Sequence, residues 1–171
     1  MNINWSRWAA IAEIISSVAI LVTLIYLSIQ TQQNTEAILA NTRQTMVNND
    51  IDINNAAIDH PRIITIMNSN EELSADEKAQ LELWLVNMAR SREYQWFQYK
   101  NGLLDRETWQ AYLTGLSANL ATTRTRGWWK LVSNRYFDHG FVKEVNKYLK
   151  DFPAVQNDSS PFDQIKPSAK P

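Results

Sequence analysis

Residues 8–29 read WAAIAEIISSVAILVTLIYLSI, and Glu13 is the one charged side chain in the run. About twenty apolar residues in a helix match the hydrocarbon thickness of a bilayer. Trp5 and Trp8 stand at one end of the run. Tyr26, followed by Gln30-Thr31-Gln32-Gln33-Asn34, stands at the other. Aromatic and polar residues mark the two faces of a membrane in this way. The run therefore predicts an uncleaved, single-pass transmembrane helix. Two readings compete with it. A cleaved signal peptide needs small residues before its cleavage site, and Ser28-Ile29-Gln30 supplies them poorly. A buried core helix is usually shorter and carries a polar stripe.

One face of the run is patterned. Ala9, Ala12, Ser16, Ala19 and Thr23 recur at alternating steps of three and four, with Glu13 at the border. Small residues so spaced let two transmembrane backbones approach closely, so the line is a candidate surface for a homo-oligomer. The bland alternative is a lone anchor whose small residues are incidental. Glu13 is either a functional group inside the span or a shallow carboxylate within reach of the headgroups. Beyond the run the same steps pass through Tyr26, Gln30, Gln33, Ala37, Ala40, Gln44, Val47 and Ile51. Neither proline nor glycine occurs between residues 8 and 58, so the helix is expected to continue out of the membrane. Arg7 and the terminal amine precede the span, and the first basic residue after it is Arg43. The positive-inside tendency then puts the soluble part on the far side from the cytoplasm.

Of the chain's 5 prolines, Pro153, Pro161, Pro167 and Pro171 fall in the tail, and there are only 4 glycines, so the body is nearly free of helix breakers. Cysteine is absent, which removes disulfides, thiolate nucleophiles and cysteine-ligated metals. A net charge of −1 gives no global attraction for nucleic acid, and a nucleic-acid partner is not expected.

The soluble part reads as a series of amphipathic helices with capping signals. His60-Pro61 starts a short helix through Ile63, Ile64 and Met67, with Asp59 as its expected cap. Ser74-Ala75-Asp76-Glu77 has the form of a capping box. The helix it opens carries Leu81, Trp84, Leu85 and Met88, continues through Trp96, Phe97 and Tyr99, and stops at Asn101-Gly102. Asp105 caps a helix with Trp109, Tyr112, Leu113, Leu116 and Leu120 on its apolar face. Gly127 precedes the set Trp128, Trp129, Leu131, Val132 and Tyr136. Asp138 caps a last helix bearing Phe141, Val145, Tyr148 and Leu149. No strand-period alternation of useful length appears.

The expected architecture is all-α. It divides into an anchor (1–30), a juxtamembrane helix (31–58), a helical soluble domain (59–152) and a disordered tail (153–171). Tyr99-x-x-Gly102-Leu103-Leu104-Asp105-x-Glu107-x-Trp109, Arg126-Gly127-Trp128-Trp129 and Phe137-x-x-x-Phe141-Val142, behind a tryptophan-flanked span and a glutamine-rich exit, resemble a family of uncharacterised bacterial membrane-anchored proteins of similar length. The resemblance covers most of residues 5–150. It implies the same plan of an anchor and helices, and by its organisms a bacterial inner membrane, but no activity.

Catalytic and cofactor signatures are missing. His60 and His139 adjoin turn signals without a zinc-helix spacing, the glycines form no phosphate-cradling loop, and no serine sits in a nucleophile elbow. Arg90, Arg92 and Glu93 fall on the helix expected to be central, where burial would force them to pair. They are the candidate polar cluster, either a structural ion pair or the lining of a pocket. From Arg124 to Lys150 cations interleave with aromatics, which reads either as an anionic-surface contact or as amphipathic helices with lysines facing water. The expected function is a membrane-anchored interaction or scaffolding protein, without cofactor or metal, whose partners are the bilayer, a second copy and unidentified proteins. The alternative is a sensor-like ligand-binding domain, or an enzyme, built around Arg92 and Glu93.

Overall fold

A computed structural model describes residues 5–152. Its helices are α1 (Trp5–Asp59), α2 (Arg62–Asn68), α3 (Ala75–Lys100), α4 (Arg106–Asn119), α5 (Thr123–Tyr136) and α6 (His139–Leu149), with no strand among the described residues. The all-α expectation holds. The expected tail lies outside the described residues.

The chain separates into two compact units, one ending at Gln44 and the other beginning at Thr45. The first is the apolar helical segment. The second is the domain, and it includes the last turns of α1: Met46 is 1% exposed, and Ile53 and Ala57 lean on the same core. The domain thus begins inside the helix, ahead of the boundary expected at residue 59.

Within the domain α3 is central and packs against α2 and α4, while α6 packs against α4 and α5. Leu81, Trp84, Leu85 and Met88 are buried on one face of it, at the i, i+3, i+4, i+7 spacing of a helix stripe. Trp109 of α4, Trp129 of α5 and Phe141 of α6 meet at the centre, with ring centroids of Trp129 and Phe141 6.0 Å apart.

Helix ends follow their caps. Ser74 Oγ accepts from Glu77 N while the Glu77 carboxylate accepts from Ser74 N at 2.9 Å, a reciprocal capping box. At the other end of α3, Gly102 adopts φ +74°. Its N–H donates to Tyr99 O, and Leu103 N donates to Gln98 O at 2.9 Å, which completes a Schellman motif. Asp105 and Asp138 cap α4 and α6 as expected.

Two starts differ from expectation. Asp59 is the last residue of α1, and α2 begins behind Pro61 with no side-chain cap. The α1 hydrogen bonding runs on through His60 N to Ala56 O, so Asp59 stays helical and is not free to turn back as a cap. Helix α5 starts behind Thr122, whose Oγ1 accepts from Thr125 N, and Gly127 lies inside it. Leu131, expected on its apolar face, is 85% exposed.

Candidate functional site

Every described residue from 5 to 38 is exposed, including Ala9, Ala12, Glu13, Ser16, Ala19 and Thr23. Helix α1 is long and apolar enough to cross a membrane, and none of its most apolar window is buried by the rest of the protein. A core helix of a soluble protein is mostly covered, and this stretch is not. Polar side chains in the stretch satisfy their hydroxyl protons locally: Ser17 Oγ donates to Glu13 O and Thr23 Oγ1 to Ala19 O, both at 2.8 Å. Back-bonding of this kind suits a hydroxyl in a medium without water.

At its other end α1 is joined to the domain through a polar contact. Oδ1 of Asp50 accepts from Arg92 Nη1 at 2.6 Å and from Ser91 Oγ at 3.1 Å, with Gln95 Nε2 at 3.4 Å. Gln95 Oε1 in turn accepts from Arg92 Nη1 at 2.9 Å. The Arg92 guanidinium lies 5.3 Å over the Tyr112 ring. Side-chain exposures of 14% for Arg92 and 24% for Asp50 put the pair in a partly desolvated setting, where attraction is stronger than on an open surface. Trp84 Nε1 also donates to Ile53 O, a second tie between α3 and α1.

Arg90, Arg92 and Glu93 therefore do not form one cluster. Arg92 faces α1. Glu93, 6% exposed, accepts from Arg90 Nη1 and from Asp138 N, both at 2.5 Å. Arg90 also donates to Tyr136 O and stacks 4.8 Å over Phe137. This second set holds the α5–α6 connection against α3, and each Glu93 oxygen has a donor. A groove of about 470 Å³ opens between the end of α1 and α3, lined by Asn49, Asp52, Ile53, Trp84, Arg90 and Tyr94 among others. Neither Arg92 nor Glu93 lines it.

Two cations of the basic stretch have structural partners. Arg124 donates to Ile66 O and Glu71 O. Arg126 donates to Leu120 O at 2.8 Å, Leu149 O at 3.1 Å and Phe152 O at 2.8 Å, filling the exposed carbonyls at two helix ends. Burial pushes the Arg126 pKa down from the ordinary arginine value. His60 and His139 are exposed beside helix starts.

Sequence reasoning missed Asp50, Gln95 and Glu144. Glu144 takes the indole N–H of Trp96 at 2.8 Å and of Trp109 at 2.7 Å, one on each oxygen. The signal available was the number of tryptophans, since a buried indole N–H needs an acceptor.

No protein-family model matches the chain, and no curated protein or solved structure does. The residues that carry the family resemblance have structural duties in this fold. Gly102 supplies the left-handed turn, Asp105 the cap, and Leu104, Trp109, Trp129, Phe137, Phe141 and Val142 are buried.

Proposed function

We propose that this chain is a membrane-anchored interaction or scaffolding protein, single-pass, that self-associates through its N-terminal helix. The observation that carries the reading is the apolar stretch of α1, which the rest of the protein leaves wholly uncovered. Exposed apolar surface on this scale requires lipid or another protein. The end of the same helix is held in the domain by Met46, Asp50 and Ile53, so whatever the apolar segment binds is carried with the domain.

The resemblance to bacterial membrane-anchored proteins supports this reading, and Arg7 ahead of the span favours a domain outside the cytoplasm, at a bacterial inner membrane. A reporter enzyme active only after export, fused behind the domain, is expected to be active. Activity of a cytoplasm-only reporter there would reverse the topology.

Self-association follows from the line Ala9, Ala12, Ser16, Ala19 and Thr23, because helices in lipid attract one another through close contact and polar bonds. A two-hybrid assay confined to the membrane compares wild type with Ala12→Ile and Ser16→Leu. Loss of signal in both variants, with insertion intact, is the expected result. Equal signal from all three would leave the anchor a plain tether.

A further inference from the structure

A cleft of about 230 Å³ opens between α4 and α6, beside the end of α3. Its lining includes the half-buried Tyr99 and Tyr148 and the buried Trp109. Tyr99 and Trp109 are stacked 16° from parallel at 6.1 Å, and Tyr148 is pinned by the contact of its hydroxyl with Thr114 Oγ1 at 2.8 Å. Tyr148 also stacks on Phe152 at 4.9 Å, so both tyrosines are held in place, each with one ring face against another aromatic.

Charged groups of both signs line the same cleft. Glu144 is held in place by the two indole donors from Trp96 and Trp109. Each of its oxygens accepts one N–H and keeps a second lone pair. Asp151 adds a carboxylate, and Arg106 and Lys147 add cations. Among the described residues no hydrogen bond or ion pair engages the charged ends of Asp151, Arg106 or Lys147.

We propose that this cleft binds a small zwitterion, with an alkylammonium group at one end and a carboxylate or phosphate at the other. A tyrosine ring beside the carboxylates of Glu144 and Asp151 favours a cation, and an alkylated ammonium gains from both. A guanidinium and an ammonium favour a carboxylate or phosphate oxygen. The two carboxylates balance the two cations, so a ligand of one sign would leave half of the charged lining unanswered. Volume sets the size. Drug-sized ligands occupy roughly 300–1,000 Å³, and this cleft lies below that range. Such a ligand is either a free osmolyte-like molecule or the headgroup of a zwitterionic lipid.

Glycine betaine and glycerophosphocholine represent these two sources. Isothermal titration of each into the full chain in a sugar-headed detergent, which offers no zwitterion of its own, tests the assignment. At least one probe is expected to give saturable heat, with half-saturation on the order of 1 mM or tighter. The stronger of the two identifies the source. The pair Arg106→Ala and Lys147→Ala together is expected to weaken that binding by about 10-fold or more without moving the thermal melt, since neither cation is tied into the fold. Three results overturn the proposal: no saturable heat from either probe, undiminished binding by the double variant, or binding of tetramethylammonium alone as tight as that of betaine.

Discussion

The indole N–H of Trp109 donates to Oε1 of Glu144 across 2.7 Å, from one helix to another. Trp96 of a third helix donates to the other oxygen at 2.8 Å, and both tryptophans are buried. One carboxylate on α6 thus satisfies two core donors, from α3 and α4. Glu144→Ala leaves both unsatisfied, at about 1–3 kcal/mol for each. Glu144→Gln keeps one acceptor oxygen and is expected to fall between. Urea unfolding of the full chain in detergent reads the order wild type, Gln, Ala. Coincident midpoints for Ala and wild type would remove Glu144 from the core's support.

Asp50 and Arg92 join α1 to α3, and their coupling is measurable. Either single truncation strands a partly buried charge. In a double-mutant cycle with Asp50→Ala and Arg92→Ala, the interaction is expected at about 0.5–3 kcal/mol, the range for contacting residues in one network. Amide exchange over residues 46–57 should rise in Asp50→Ala. Strict additivity would mean that Met46 and Ile53 hold the end of α1 unaided.

Acid is expected to loosen the start of α3. The Ser74 N–H, and after it the Arg62 guanidinium, hold the Glu77 carboxyl below the ordinary glutamate range. A lowered folded-state value contributes stability above the unfolded-state value, and that contribution is lost as the pH falls through the folded one. Glu77→Gln, which lacks that contribution at any pH, should therefore lower stability at neutral pH, converge with wild type in acid, and so flatten the acid limb. Parallel acid limbs for variant and wild type would contradict this.

Two glycines are expected to resist alanine for different reasons. Gly102 holds φ +74° in open space, so Gly102→Ala carries only the left-handed backbone cost, about 1–2 kcal/mol. Gly140 has an ordinary backbone, but a Cβ there would lie 2.9 Å from the Trp96 ring. Gly140→Ala should cost about 1–3 kcal/mol by overpacking and shift Trp96 fluorescence. A stability loss in Gly140→Ala with unchanged fluorescence would point away from that contact.

The elements were legible where the physics is local. Ser74 and Glu77 lie three residues apart, Gly102 follows directly on the last turn of α3, and Asp105 and Asp138 precede their helices, so each boundary could be read from a short window. At α5 the cap Thr122 lies ahead of Gly127, and a helix tolerates an interior glycine at modest cost, so that glycine marks no boundary. The candidate polar residues were legible only as residues. Arg92 pairs with Asp50, 42 positions earlier, and Trp109 with Glu144, 35 positions later. No periodicity encodes such pairings. The tertiary fold alone separates Arg92 from its neighbours Arg90 and Glu93, and it alone turns Glu144 toward two tryptophans.

Alkaline carbonate extraction of native membranes separates an uncleaved anchor at residues 8–29 from a peripheral or processed segment. Carbonate strips proteins held by surface charge or by soluble partners and leaves those held by a spanning helix. The chain is expected to stay in the membrane pellet with residues 8–29 still attached to the domain. Recovery of full-length protein in the soluble fraction, or of a product cut behind Ser28-Ile29-Gln30, would contradict it.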